Sequence, residues 1–225
     1  MIAKIRAILR RTRSILKRDP DRFFRKVSGV IHVGANTGQE RGVYKKYGLR
    51  VIWVEPIPEV FETLKANLIG FPQQRALQYL VSDQDDTEYR FHIANNNGAS
   101  SSILDLKLHK DIWPHVAYER TIMLRSKTLA SLIEGERIEP REYDALIMDT
   151  QGSELLVLKG AVPILQNFTY IKTEVPDFES YAGCCQLADI ASFLTRYGYR
   201  EYSCHKFAER AEGGSCYDVV YKRKA

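Results

Sequence analysis

Hydrophobic and polar positions along this chain follow two different periods. Apolar runs at 27–33, 51–54 and 145–148 each stop at a glycine turn or an acidic residue, and the segments between such runs carry apolar residues at helical spacing. Strands that alternate with helices of about 10–15 residues are typical of a mainly parallel α/β sheet. The pattern predicts strands at 27–33, 51–54, 76–81, 88–94, 145–148, 170–175, 200–203 and 216–222, the last two antiparallel, and helices at 39–47, 58–68, 127–133, 153–166 and 187–197.

The first 26 residues differ from the rest and are predicted to form a basic amphipathic extension before a domain at 27–225. Ten basic and two acidic residues give this segment a net charge of +8, and because the whole chain carries +5, the remainder is net −3. Apolar residues recur at helical spacing over 2–18. Such a helix is attracted to anionic lipid. Packing on the domain or on a second subunit, as a homo-oligomer, is the alternative, and nucleic acid is disfavoured because the body is net acidic.

The four cysteines and five histidines lack the spacing of a zinc site. Unpatterned cysteines are typical of free thiols in a reducing compartment. No apolar run approaches the roughly 20 residues of a membrane-spanning helix, and the N-terminus lacks the apolar stretch of a signal peptide. These features predict a cytoplasmic protein, with peripheral attachment to the inner membrane surface if the extension binds lipid.

Two neighbouring segments indicate a nucleoside site. The strand at 27–33 runs into Gly34, Asn36 and Gly38, a turn whose glycines let a ligand approach the backbone closely. Asn36 adds a short polar side chain. Glu55 ends the next strand, where an acid in Rossmann-like sheets accepts hydrogen bonds from ribose hydroxyls.

A third segment follows the buried strand at 145–148. Asp149 lies at its carboxyl end, where open α/β sheets bind ligands, and it faces either a reacting group or the helix that begins near Ser153. The polar loop at 95–102 has no core pattern, and loops of this kind are often functional. We expect it to border the ligand.

Together these segments resemble the FkbM family of methyltransferases. The matching pieces are 31–38, 54–56, 100–102 and 146–161, and the resemblance extends over about 27–222. It implies a class I Rossmann-like fold with a mostly parallel seven-stranded sheet and an antiparallel last strand. It also implies S-adenosyl-L-methionine (SAM) as cofactor and methyl transfer to a hydroxyl of a sugar, glycan or secondary metabolite. The cofactor contacts implied are His32, Gly34, Ala35, Asn36, Thr37, Gly38, Glu55, Pro56, Ser82, Asp83 and Ser101.

Two residues depart from the family pattern. His32 stands where the family usually has Asp, an acid that helps to hold the amino-acid end of SAM; a neutral imidazole can also accept a hydrogen bond. Gln151 stands where many relatives have Glu, which removes one candidate metal ligand. An alcohol acceptor needs a base, for which Asp149 and Glu174 are the candidates. The same two carboxylates are alternatively ligands of Mg²⁺.

Two other functions compete with sugar O-methylation. A nucleic-acid methyltransferase is suggested by the basic extension, but the segment after Asp149 lacks the proline pair and aromatic residue that stack a flipped base. A SAM-binding or membrane-tethered interaction module without turnover is suggested by His32. The sequence leaves the acceptor and its reacting hydroxyl, the metal dependence and the oligomeric state open.

Overall fold

A computed structural model of the chain describes residues 20–224. Within these residues, ten strands make up two sheets. Their bounds are β1 (Gly29–Val33), β2 (Arg50–Val54), β3 (Gln74–Leu77), β4 (Leu80–Ser82), β5 (Glu88–Ala94), β6 (Tyr118–Thr128), β7 (Ala145–Met148), β8 (Tyr170–Pro176), β9 (Tyr199–Glu209) and β10 (Ser215–Arg223).

The large sheet has seven strands in the order β3-β2-β1-β7-β8-β10-β9. Six strands run in the same direction, and β10 runs antiparallel to both of its neighbours, β8 and β9. The small sheet has the order β4-β6-β5, in which β5 and β6 pair antiparallel. This is the predicted α/β class with the predicted antiparallel last strand, and the crossover between β3 and β7 gives the Rossmann-like arrangement.

Five α-helices connect the strands, together with short 3₁₀ helices. Pro58 begins the second helix, where its missing N–H costs nothing. Thr128 caps the third, its hydroxyl accepting from the backbone N–H of Ser131, and Gln186 with Asp189 forms a capping box on the fifth. The bounds are α1 (Arg41–Lys46), α2 (Pro58–Asn67), α3 (Leu129–Gly135), α4 (Glu154–Gly160) and α5 (Leu187–Arg196).

Both faces of the large sheet are covered. In β1 all five residues are buried: Ile31 packs into one apolar cluster with α3, α4 and α5, and Val30 packs into a second cluster on the opposite face. Parallel strands buried on both faces read as continuous apolar runs, which is why β1, β2 and β7 were visible in the sequence.

Three predicted elements differ from the structure. The strand predicted at 76–81 is two strands, β3 and β4, which belong to different sheets. The helix predicted at 127–133 begins at Leu129, because 118–128 forms strand β6. Most residues of β6 are not buried, so this strand lacks the apolar run by which a buried strand is recognised. The helix predicted at 153–166 ends as α4 at Gly160, and a 3₁₀ helix with a proline in its first turn, Val162–Asn167, follows it.

The end of the predicted extension packs against the predicted domain. Pro20–Lys26 forms a 3₁₀ helix whose Phe23 and Phe24 are buried in the second cluster. The ring of Phe23 lies 5.4 Å from that of Tyr170, and the ring of Phe24 lies 5.2 Å from that of Tyr44. Phe23 and Phe24 therefore belong to the core. The rest of the predicted extension, residues 1–19, lies outside the described residues, and across 20–224 no helix is long and apolar enough to cross a membrane.

We predict that Phe23→Ala lowers the free energy of unfolding by about 3–5 kcal/mol, because it removes a fully buried ring and leaves a cavity. Denaturant unfolding measures this change. Phe207→Ala is the matched control: Phe207 is 43% exposed, so its removal should cost far less. Equal losses for the two variants would contradict the placement of Phe23 in the core.

Candidate active site

The site begins where the ends of β1 and β7 approach each other. Gly34 follows β1 with φ +81°, and a Cβ at this position would lie 1.9 Å from the carbonyl oxygen of Asp149. The backbone N–H of Asp149 donates to the carbonyl of Val33 at 3.0 Å. Only glycine permits both the conformation and the close approach, so the turn after β1 and the end of β7 form one continuous surface.

The turn after β1 is held by Asn36 and Glu55. Asn36 has φ +45°, and its backbone N–H donates to Oε2 of Glu55 at 2.9 Å. Its side-chain oxygen accepts from the backbone N–H of Thr37 at 2.8 Å, and its amide nitrogen donates to the carbonyl of Asn97 at 3.1 Å. Asparagine tolerates this left-handed conformation better than most residues, and here it joins the turn to the polar loop at 95–102.

Glu55 follows β2 directly and is only 4% exposed. Its other oxygen, Oε1, accepts from the backbone N–H of Ile57 at 2.9 Å. Burial raises the pKa of this carboxyl to about 7, although the two backbone donors oppose the rise. Each carboxylate oxygen keeps further acceptor capacity, so Glu55 is placed to accept hydrogen bonds from hydroxyl groups of a ligand.

His32 is buried. Its Nδ1 lies 3.0 Å from the hydroxyl of Tyr44, and its ring stacks on Trp53 with centroids 4.9 Å apart. Burial and the charge of Lys172 lower its pKa to about 3. The imidazole is therefore neutral, and the residue lines the cleft described next.

A cleft with about 540 Å³ of open space follows these residues and reaches the end of β7. It brings together eight residues singled out from the sequence, namely His32, Gly34, Ala35, Asn36, Glu55, Pro56, Ser101 and Asp149. We call it the cofactor cleft.

Four residues expected to contact the cofactor do not line this cleft, and their role stays a prediction. Thr37 lines a neighbouring cavity, and Gly38 packs against α2, where a Cβ would lie 2.7 Å from Leu64. Ser82 ends β4 in the small sheet and is buried with its hydroxyl 2.9 Å from that of Tyr89, and Asp83 follows it.

A second cavity of about 770 Å³ opens beside the cofactor cleft. The two share Ala99, Asp149 and Gln151. We call this second cavity the acceptor chamber. Its aromatic and acidic residues are His109, Trp113, Tyr181, Phe207, Asp149, Glu154 and Glu174.

Asp149 and Glu174 carry the acidity of the chamber. Burial raises the pKa of Asp149 well above its usual range, and the neighbouring Glu174 and Glu154 raise it further. Burial, with help from Asp218, raises the pKa of Glu174 to about 7. Carboxyl groups with raised pKa values are matched to proton transfer near neutral pH.

Glu154 shapes the turn that carries Asp149. It is buried, and its carboxylate accepts from the backbone N–H groups of Thr150 and Gly152, from the hydroxyl of Thr150 and from the thiol of Cys185. Burial raises its pKa, and the backbone donors oppose this. With its acceptor sites occupied within the protein, Glu154 holds the turn and is not placed to take a proton from a ligand.

The polar loop at 95–102 closes the boundary between the two cavities. Gly98, Ala99 and Ser101 line the cofactor cleft, and Asn96, Ala99 and Ser100 line the acceptor chamber. Ser102 donates to the carbonyl of Gln151 at 2.8 Å, which fixes the loop to the turn after β7.

Several site residues were missed in the sequence. Trp113 and Tyr181 lie outside the helices and strands, where spacing carries no signal, and His109 lies in a 3₁₀ helix, Leu108–Asp111. Burial lowers the pKa of His109 to about 4, so its ring is neutral, and within 20–224 its buried Nδ1 has no hydrogen-bond partner. Gln151 and Glu154 lie in the family-like segment 146–161, so the sequence predicted that they are near the site but not which groups they contact.

The two carboxylates considered as ligands of Mg²⁺, Asp149 and Glu174, both line the acceptor chamber. Across the described part of the chain, no group of three or more His, Cys, Asp or Glu side chains is arranged to hold a metal ion. The residues present therefore do not fit a metal held by protein ligands alone, and no step below is assigned to one.

Solved structures similar to this chain include methyltransferases and an uncharacterised protein. The tRNA methyltransferase TrmK of B. subtilis has a TM-score of 0.52 and 9% identity, covering 91% of this chain and 64% of its own. M. capricolum TrmK, solved with S-adenosyl-homocysteine (SAH), also has a TM-score of 0.52, with 6% identity, and the match covers 93% of this chain and 70% of that one. An uncharacterised protein from Listeria monocytogenes serotype 4b has a TM-score of 0.52 and 10% identity, and the match covers 93% of this chain and 68% of that one. The fold is that of class I SAM-dependent methyltransferases.

The family model described as "Methyltransferase FkbM domain" matches residues 32–201. The chain therefore belongs to the FkbM methyltransferase family, as its motifs predicted, and SAM is its cofactor. A search of curated protein sequences found no match.

We predict that the affinity for SAH rises with pH and levels off near pH 7, because hydroxyl groups of the cofactor donate to the ionised form of Glu55. The folded-state pKa is raised, so below about 7 binding must first remove a proton, which costs up to roughly tenfold in affinity per pH unit. Calorimetry with SAH across this range measures the effect.

Two variants control this experiment. Glu55→Gln should bind more weakly and lose the pH dependence, whereas Glu59→Gln, on the exposed surface of α2, should keep the full wild-type profile. A wild-type affinity that stays flat between about pH 5.5 and 8 would show that Glu55 does not ionise on binding.

Proposed function

We propose that this protein transfers the methyl group of SAM to a hydroxyl oxygen of an uncharged, ring-bearing acceptor such as a sugar. The observation that carries the proposal is the shared boundary of the two cavities: Asp149 and Gln151 line both. A cofactor in one cavity and an acceptor in the other meet at Asp149. Methyl transfer from a sulfonium needs little more than this alignment, because SAM is already reactive.

The step at the boundary is a displacement in line. The acceptor oxygen bonds to the methyl carbon while the carbon–sulfur bond breaks. The electron pair of the breaking bond goes to the sulfur, which loses its positive charge, and SAH is left. The hydroxyl proton passes to a carboxylate. Asp149 is the first candidate because it touches both cavities, and Glu174 lines only the acceptor chamber. Their raised pKa values suit them to receive this proton near neutral pH.

The charge of the acceptor chamber supports an acceptor without phosphate. Three carboxylate side chains line it, and no Lys or Arg is among its described lining residues. Nucleic-acid binding depends on Lys and Arg neutralising backbone phosphates. The similarity to TrmK, at 9% identity or below, extends to the fold, whereas this chamber disfavours a polyanion.

The aromatic side chains of the chamber support a ring in the acceptor. Trp113 and Tyr181 flank the ring of His109 at centroid distances of 4.6 and 5.1 Å, and Phe207 lies at the exposed end. An apolar ring face of an acceptor packs on such a wall.

Incubation with SAM labelled in the methyl group tests the acceptor class. Neutral glycosides, their phosphorylated counterparts and tRNA are offered in parallel. We expect label in a neutral glycoside, at an oxygen. Label in tRNA, or transfer only to phosphorylated sugars, would contradict the proposal.

We predict that Asp149→Asn lowers kcat by about 10²–10⁴-fold, the usual contribution of a positioned base, and leaves the affinity for SAH within a few-fold of wild type. Steady-state assays and calorimetry measure the two quantities. Asp105→Asn, at a side chain 79% exposed, is the control and should keep normal turnover. Normal turnover in Asp149→Asn would transfer the role to Glu174, which Glu174→Gln tests.

We also propose that the basic segment before Pro20 attaches the enzyme to anionic membrane surfaces. The support is its sequence alone, in which Lys and Arg alternate with apolar residues at helical spacing. An acceptor linked to lipid would then lie within reach of the chamber.

Sedimentation with anionic liposomes tests the attachment, and Arg10, Arg11 and Arg13 changed together to Glu should abolish it. Each basic residue contributes about 1 kcal/mol near such a surface, and the effect falls with salt. Substitution is preferred to truncation at Val27, which would delete the buried Phe23 and Phe24. Arg90, Arg125 and Arg200 changed to Glu form the matched control, because all three are exposed on the domain. Equal recovery of both triple variants with the liposomes would contradict the proposal.

A further inference from the structure

A chain of two short hydrogen bonds runs from a distant loop to the proposed base. The hydroxyl of Tyr181 donates to Oε1 of Gln151 at 2.6 Å, and Nε2 of Gln151 donates to Oδ1 of Asp149 at 2.5 Å. We propose that Tyr181 is a positioning residue that acts on Asp149 through the amide of Gln151. This inference rests on the proposed function, because it concerns the group to which that function gives the proton.

The direction of the chain follows from the chemistry of an amide. The side-chain amide of Gln151 has an oxygen that accepts and a nitrogen that donates, and rotation of the amide can direct either atom towards Asp149. A neutral phenol donates its proton, so Tyr181 selects the orientation in which the amide oxygen faces Tyr181 and the N–H faces Asp149. Burial raises the pKa of the Tyr181 hydroxyl, which keeps it a donor.

The backbone of Gln151 fixes the start of its side chain and leaves the amide end to be held by contacts. Gln151 has φ +55°, in the left-handed region that few side-chain-bearing residues adopt. The carboxylate of Glu154 and the hydroxyl of Ser102 hold the turn on either side. A strained backbone that is held this firmly indicates that the direction of the side chain matters to the site.

Tyr181 is itself held firmly. It is 3% exposed, its ring lies against His109, and its backbone forms an isolated bridge with Leu106. Its hydroxyl also reaches the carbonyl of Ser100 at 3.3 Å, in the loop that borders both cavities. The phenol therefore joins three loops at the point where the cavities meet.

The orientation of Gln151 affects the ionisation of Asp149. The charged groups that face Asp149 are Glu174 from β8, Glu154 from α4 and Glu40 before α1, and all three favour its protonated form. The Gln151 N–H opposes them, because a donor stabilises the carboxylate. A turned amide would present an oxygen instead and favour the protonated acid, which cannot accept the proton of an alcohol.

A carboxyl titration tests the inference without any acceptor. Aspartate labelled with ¹³C at the side-chain carboxyl is incorporated, and the Asp149 resonance is assigned by its loss in Asp149→Asn. We expect Tyr181→Phe, which keeps the ring, to raise the titration midpoint of Asp149 by about half a pH unit or more. Gln151→Ala should raise it as well, and the double variant should match Gln151→Ala alone because the two residues act in series.

Tyr89→Phe is the control: it removes a hydroxyl bonded to Ser82, outside the site, and should leave the midpoint unchanged. An unchanged midpoint in Tyr181→Phe, or shifts that add in the double variant, would overturn the inference. The titration involves no turnover, so a failure of the proposed methyl transfer would not alter it. With an acceptor in hand, Tyr181→Phe should move the acidic limb of the kcat profile upward and leave KM unchanged.

Discussion

The contact between the turn after β1 and the end of β7 is the constraint on which the rest of the site depends. Gly34 lies so close to the carbonyl of Asp149 that any side chain would push the two strand ends apart. Pairing of β1 with both β2 and β7 brings Glu55 and Asp149 to the same edge of the sheet. The residues that we propose for cofactor binding and for proton transfer are thereby joined through backbone contacts and not through flexible side chains.

Three carboxylates at this edge differ in their surroundings. Glu154 is buried and receives donors from its own turn and from the thiol of Cys185. Glu55 is buried, receives two backbone donors and retains capacity for a ligand, and its pKa is raised to about 7. Asp149 has the Gln151 amide as its side-chain donor, and its acidic neighbours add to the rise of its pKa. The number and direction of donors therefore distinguish the structural Glu154 from the two carboxylates to which we assign binding and proton transfer.

Much of the fold was predictable because its central strands are buried on both faces, and β1, β2 and β7 appear as apolar runs that stop at functional residues. The apolar pattern did not predict β6, because most residues of that strand are not buried. It also predicted β3 and β4 as one strand, because an apolar pattern does not reveal that consecutive strands enter different sheets. Phe23 and Phe24 were assigned to the extension because two aromatic residues in a basic segment give no sign of what they pack against.

The sequence by itself determined the family, the turn after β1, the acid at Glu55 and the position of Asp149, because each depends on residues close together in the chain and on a local backbone requirement. Tertiary structure decided which groups meet Asp149. Tyr181 lies 32 residues further along the chain than Asp149, in an irregular loop, and reaches Gln151 only because β7 and β8 are neighbours and the loop after β8 folds back over the end of the sheet. Long-range hydrogen bonds and desolvation leave no periodic trace in a sequence, since they depend on distances that exist only after the chain has folded.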